Sequence, residues 1–555
     1  MIRRDRALIG ILVLSAVLHV VGMIRTPLPS QDGLKFIRIA REFGEQPWAD
    51  VVRRADQHPL YPALIAVAQP FIAPMIGEGP GSWRVAAQGV SALAMVAAVL
   101  PFFGFARTVV GRRPALLASL LFALLPISGR IGHDTLSDAT ALLCVAGALA
   151  LGTRAATTGG VLAAVGSGAI AGIGFLARPE VALVPGVIAL GVVGGGLSRR
   201  GAKPQRREGR GEREHRIFSR LPFRASAPQP EIPPDLPRRL LLAAAISAPL
   251  VACVGSYAAI KGTISEKLSM RYATGLGDGT GVARSVPHWV PRGLDDPRWD
   301  FSPKEESDAP GRLGPAPASI RVARGIGEAT AWVLVPLACW GAWHHRGPRR
   351  SREARQLAAC LAIAYGIVLI RHAMRAGYLS DRHCATLALL ATPWAAAGAI
   401  GLARFLSDRL AMGAGRRRRL AITTLSAIAI GGVAVQLKPG HPSRWGHQAA
   451  GLWLADRAGA GEAVLDTRGW AAFVSGLRSY DPWHIRQALT DARLAYVVVG
   501  DDELTADSAR AETLGALLDY AAEPVAAFPG REGDDEIGVR VYRFRRPQSW
   551  EGIVQ

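Results

Sequence analysis

Charge and cysteine are both scarce in this chain. Only 20% of its 555 residues are charged while 50% are hydrophobic, and the mean hydropathy is +0.20. A soluble enzyme of this length would carry more charge, so a membrane protein becomes the leading class. The five cysteines, Cys144, Cys253, Cys339, Cys360 and Cys384, are scattered in or beside apolar stretches. They form no CxxC pair and have no histidine at metal-ligand spacing, which argues against a disulfide framework and a zinc centre. Acidic residues are the scarcer charges, 44 against 65 Lys and Arg, for a formal net charge of +21. Such an excess suggests nucleic acid only when it lies on a soluble basic face, and here it interrupts apolar runs.

Those runs dominate what is present. Arg3, Arg4 and Arg6 precede an apolar stretch over 7–24 that lacks a clear small-residue cleavage site and reads as an uncleaved first span. Further runs at 85–106, 114–128, 137–152, 159–177, 181–197, 240–259, 328–343, 357–370, 384–403 and 420–436 bring the expected spans to eleven. Arginine-dense segments at 199–224, 346–355 and 416–419 then fall on one side with the N-terminus, which the positive-inside rule makes cytoplasmic. The first outer loop, 25–83, has nearly balanced charge. The segment 198–239 is rich in Arg, Glu, Pro and Gly and reads as a cytoplasmic linker, whereas the long outer loop 260–327 is of a length more often functional than idle. Trp289, Trp332, Trp394 and Trp445 suit interfacial belts. From residue 437 the pattern changes to alternating helix and strand signals, a small α/β domain that odd span parity puts outside the membrane. It holds no P-loop and no GxSxG.

Ionisable residues at membrane ends are costly and usually have a partner or a task. Four places on the outer side qualify: Ser30-Gln31-Asp32-Gly33 before a helix-like stretch; Gln57-His58-Pro59-Leu60-Tyr61-Pro62 leading a short interfacial helix; His133-Asp134-Thr135 with Asp138; and Arg178-Pro179-Glu180 together with Asp381-Arg382-His383. A carboxylate beside arginines suits transfer from a lipid phosphate, because the carboxylate takes a proton from the acceptor and the guanidinium neutralises the leaving phosphate.

On these residues the chain resembles the GT-C superfamily of integral-membrane glycosyltransferases, in its protein O-mannosyltransferase and lipid A aminoarabinose transferase branch. The resemblance rests on Asp32 early in the first outer loop, the element from His58 to Pro62, Arg84, Pro126, the Asp134/Asp138 turn, the stretch from Gly172 to Glu180, and Tyr378 to Arg382. It implies a polytopic α-helical membrane fold and a polyprenyl-phosphate-sugar donor. It puts the general base on Asp32, with Asp134 as the second acidic candidate, and donor contacts on His58, Tyr61, Arg178, Glu180 and Arg382. Two departures stand out: Gly33 occupies a position where relatives often have a second acidic residue, and Leu60 follows Pro59 where a second proline is usual. Some relatives bind a divalent metal ion and others work without one, and no ligand cluster in the sequence decides between them.

Each residue also has a plainer role open to it. Asp32 could cap the helix that follows, His58 could anchor the interfacial helix, and Arg178 with Glu180 could be a structural pair. Two other function classes share the topology. A transporter or lipid flippase would show charges at the midplane and matching halves, while a non-catalytic envelope-assembly scaffold would differ only in not needing the carboxylate.

Overall fold

The computed structural model describes residues 6–198, 236–265, 313–345, 352–438, 441–480 and 485–548, apart from 507, 532, 534 and 535. Much of the linker expected over 198–239 and of the outer loop over 260–327, with Trp289, lies outside the described residues.

All eleven apolar runs are helical, but they are not equivalent. Among the described residues six helices are long and apolar enough to cross a membrane: α1 (Arg6–Ile24), α5 (Pro80–Val110), α8 (Asp138–Thr158), α11 (Leu236–Lys261), α14 (Arg352–Ala376) and α15, whose helical residues Ala385–Arg409 continue a short turn from Asp381. Two further runs are bent pairs, α6 (Arg112–Leu124) with α7 (Pro126–His133) at 54° and α12 (Pro315–Ala329) with α13 (Leu334–His344) at 97°, so that length and composition give up to eight spans among the described residues, where the sequence pattern leads to eleven. The first break falls where Pro126 forces Leu125 out of helical geometry, to φ −58° and ψ 138°. The second passes through Ala331 and Trp332, both in the left-handed region at φ 53° and 60°. The remaining three runs form α9 (Val161–Phe175), α10 (Leu183–Ser198) and α16 (Ala414–Gln436), whose apolar stretches are short of the roughly 20 residues a hydrocarbon core asks for.

Between α1 and α5 lie α2 (Gln31–Glu45), α3 (Trp48–Arg54) and α4 (Leu60–Ile76). The amphipathic α2 buries Phe36, Ile37 and Ala40 against Tyr61 and Ile65 of α4 and Ala86 and Ala87 of α5. The bundle core runs through α5, α6, α8 and α15 and is built largely of alanine, so helices pack closely. Where α13 crosses α15, a Cβ on Gly341 or Gly398 would run into the other helix's backbone.

Past α16 the chain forms α17 (Trp445–Arg457), β1 (Ala463–Asp466), α18 (Trp470–Ser475), β2 (Arg478–Tyr480), α19 (Ile485–Thr490), β3 (Leu494–Gly500), α20 (Asp501–Leu504), α21 (Ala509–Ala521), β4 (Ala522–Pro529) and β5 (Ile537–Phe544). The sheet order is β2-β1-β3-β5-β4, with β1 parallel to β2 and β3, and β5 antiparallel to β3 and β4. β3 is buried along its whole length because both faces are covered: Val497 and Val499 pack with Leu514 and Leu517 of α21, and Val498 with Ala450 and Leu454 of α17.

This α/β unit stands at the end of α1 away from Arg6. Arg25 donates to the Leu437 carbonyl, and Gln436 Nε2 donates to Ala123 O at 2.6 Å and Leu125 O at 3.1 Å. The same end of the bundle gathers the start of α2, the α7–α8 turn, the end of α9 and the start of α15.

Candidate active site

The site begins with a helix cap. Ser30, extended at φ −62° and ψ 161°, accepts the Gly33 N–H on its Oγ at 3.0 Å, so the capping role falls to Ser30. Asp32 stands at the second helical position with its side chain left for other work, and its Oδ2 lies 2.7 Å from Arg382 Nη1. Gly33 also finds its reason here: a Cβ would collide with the Thr135 hydroxyl, so an acidic residue beside Asp32 would push α2 off the α7–α8 turn.

Arg178 is the centre of the buried charge. It precedes Pro179, which holds it extended at φ −152° and ψ 129°, out of the α9 helix. Its guanidinium pairs with Asp138 and lies with Nε 3.6 Å from Glu180 Oε2. Burial alone would lower the guanidinium's proton affinity, but Asp138 and Glu180 outweigh it and hold the charge in place. Around this pair is a cavity of about 440 Å³, counted to its open mouth. Asp138, Ala141, Leu142 and Val145 line it from one face of α8, Tyr365 from α14, and Arg382, His383 and Thr386 from the start of α15. Arg130 of α7 pairs with Asp381, tying the residue next to Arg382 to the bundle.

The other residues singled out from the sequence have different surroundings. Tyr61 is fully buried, and its hydroxyl donates to Ala87 O at 2.9 Å and lies 2.8 Å from Ser91 Oγ. His58 makes no side-chain cap to α4. It is buried, its Nε2 3.0 Å from Ser265 Oγ, its ring stacked on Tyr257 at 5.2 Å and edge-on to Phe175. Neither lines the cavity. Asp134 does not either. It is 3% exposed, and its Oδ1 accepts the N–H groups of Ser30 at 2.9 Å and Thr135 at 2.7 Å. Its Oδ2 lies 3.2 Å from His441 Nε2 and 3.7 Å from Arg444 Nη1. Burial pushes this carboxyl up, and His441, Arg444 and the Thr135 N–H together bring it below the ordinary aspartate value.

Asp32, Arg178, Glu180 and Arg382 are thus brought together, and Asp138, Tyr365, His383 and Thr386 join them. Sequence reasoning ranked Asp134 above Asp138. The signal that favours Asp138 is helical spacing: with Ala141, Leu142 and Val145 it makes one face of α8. Among the described residues no group of three or more His, Cys, Asp or Glu side chains could hold a metal ion.

Residues 62–201 match the family model described as dolichyl-phosphate-mannose-protein mannosyltransferase. The whole structure is similar to that of ArnT from Cupriavidus metallidurans bound to undecaprenyl phosphate, with a TM-score of 0.58 at 13% identity over 99% of each chain. The chain has the GT-C fold. The same fold is seen in the archaeal oligosaccharyltransferase AglB from Archaeoglobus fulgidus in complex with an inhibitory peptide and a dolichol-phosphate, with a TM-score of 0.52 at 13% identity over 97% of this chain and 74% of that one. No curated protein matches the sequence. The mannosyltransferase match covers α4 to α10, and the likeness to the two solved structures is one of fold.

Proposed function

We propose that this chain is a GT-C glycosyltransferase that moves a sugar from a polyprenyl-phosphate donor to an extracytoplasmic acceptor, with inversion at the anomeric carbon. The observation that carries the reading is a carboxylate, Asp32, held against an arginine of a cavity that contains a second arginine. The undecaprenyl phosphate bound to ArnT and the dolichol-phosphate in the AglB complex support the donor class. The cavity wall carries Arg178 and Arg382 beside Tyr365, His383 and Thr386, donors that suit a phosphate and the hydroxyls of a sugar.

The residues divide the work as follows. Arg382 and Arg178 take the donor phosphate, the planar fork of each meeting two phosphate oxygens. Asp32 accepts the proton of the acceptor hydroxyl or amine as that atom bonds to the anomeric carbon. The bond from the anomeric carbon to the phosphate oxygen breaks, and its electron pair leaves on the lipid phosphate beside the arginines. Asp138 and Glu180 keep Arg178 charged and aimed until the donor arrives. His58 and Tyr61 act one layer out, fixing the segments around α4.

The N-terminus is cytoplasmic, the α/β unit extracytoplasmic, and the membrane a bacterial inner membrane. Support for this sidedness is the gathering of all these charges at the end of the bundle away from Arg6. The test is transfer of labelled sugar from a panel of polyprenyl-phosphate sugars by membranes carrying the chain, competed with free undecaprenyl phosphate and repeated with added chelator. Competable transfer is expected. Membranes that transfer no sugar from any donor with any acceptor extract would contradict the reading.

A further inference from the structure

The segment that joins α1 to α2 is Thr26-Pro27-Leu28-Pro29-Ser30. Two of its five residues are prolines, and it has no helix or strand of its own to take up its carbonyl groups. Thr26, Leu28 and Ser30 are nevertheless buried. Four consecutive carbonyls are each met by a side chain: Gln88 Nε2 donates to Thr26 O at 2.8 Å, Arg84 Nη1 to Pro27 O, Arg444 Nη1 to Leu28 O at 3.2 Å, and Trp470 Nε1 to Pro29 O at 2.8 Å. The first two donors come from α5 and the last two from the C-terminal unit. The fifth residue, Ser30, gives its N–H to Asp134 and caps α2 with its hydroxyl. Arg444 ties the two sets together, its guanidinium facing Asp134 and lying 5.0 Å from the Trp470 ring centre.

We infer that Asp134, Arg444 and Trp470 are positioning residues for the transfer reaction: with α5 they clamp the strap 26–30, and through the Ser30 cap they set the first turn of α2 and hence Asp32. The inference rests on the reading of Asp32 as base, and it gives the α/β unit a part in the chemistry although none of its residues lines the cavity. A backbone held by side chains from two distant parts of the chain loses its register when one part is altered. A displacement of about 1 Å at a reacting group costs on the order of a hundredfold in rate.

The experiment compares Trp470→Phe, Arg444→Gln, Arg444→Lys, Asp134→Asn and Asp134→Ala with the wild-type chain in two measurements: kcat and KM for the polyprenyl-phosphate donor, and amide hydrogen exchange of peptides covering 26–36. Trp470→Phe keeps the ring and removes the donor to Pro29. It and Arg444→Gln are expected to lower kcat about ten- to hundredfold with donor KM within about threefold, and to speed exchange at Gly33 and Leu34. Arg444→Lys recovers part of both. In Asp134→Asn the amide oxygen still accepts from Ser30 and Thr135, so kcat stays within about tenfold of wild type, whereas Asp134→Ala falls with the others. Unchanged exchange in Trp470→Phe and Arg444→Gln would overturn the clamp, and that readout stands even if no sugar donor is found. A kcat for Asp134→Asn as low as that of Asp32→Asn, with native exchange, would overturn it in favour of a reacting Asp134.

Discussion

Asp134 and Asp138 sit four positions apart in the same turn, both almost completely buried, and the structure uses them in opposite ways. Around Asp134 the partners are two backbone N–H groups, a histidine and an arginine that also hold the backbone in place. Around Asp138 the partner is the head of one arginine at the wall of an open cavity. Fixed donors on every side leave a carboxylate nothing to give a ligand, so the Asp134 region reads as framework. Ion pairs that border a cavity can exchange one partner for a phosphate, so the Asp138 region reads as a binding site. Burial and charge are alike in the two regions, and the identity of the partners separates them.

The comparison can be broken most sharply at the residue both regions serve. Asp32→Asn is expected to reduce transfer by about 10²–10⁴-fold at unchanged membrane abundance, the usual worth of a positioned base, as measured by initial rates of sugar transfer. In the cavity, Arg178→Gln leaves Asp138 and Glu180 buried without their cation. Losing one partner of such a pair costs about 3–5 kcal/mol, so thermal unfolding in detergent should come at a lower temperature and donor protection should vanish. Adding Asp138→Asn to that variant should recover part of the stability and none of the transfer.

In the framework region the expected signature is a pH dependence. Asp134 keeps its charge to lower pH in the folded protein than in the unfolded chain. Its stabilisation is therefore complete at neutral pH and is lost as pH falls through the folded value. Asp134→Asn should unfold at a lower temperature than wild type at pH 7, and the gap should close on acidification. The smallest effect is expected outside both regions. Tyr61→Phe gives up its hydrogen bonds to Ala87 and Ser91, a loss of about 1 kcal/mol in stability, with donor KM unchanged in a steady-state assay.

The helical membrane class, the position of Asp32 at the start of a helix and the gathering of Arg178, Glu180 and Arg382 on one side were legible in the sequence, because hydropathy and charge at helix ends are local signals. The span count was less so. A window of apolar residues cannot tell a crossing helix from one bent at Leu125–Pro126 or at Ala331–Trp332, nor from the short α9, α10 and α16. The pairing of Asp32 with Arg382 spans most of the chain and follows from the packing of α15 beside the first loop, which no local pattern encodes. The same holds for the strap, whose prolines announce a turn but not the four side chains that meet its carbonyls. That Asp138 and not Asp134 lines the cavity could be told only by knowing which of the two buried carboxylates had already been satisfied by backbone.

The most direct measurement is transfer of labelled sugar from polyprenyl-phosphate donors by membranes carrying matched amounts of the wild-type chain, Asp32→Asn and Asp134→Asn. The account predicts transfer by wild type, transfer within about tenfold of it by Asp134→Asn, and loss of about a hundredfold or more in Asp32→Asn. Equal rates for Asp32→Asn and wild type would contradict it, because a base at Asp32 could then have no part in the reaction.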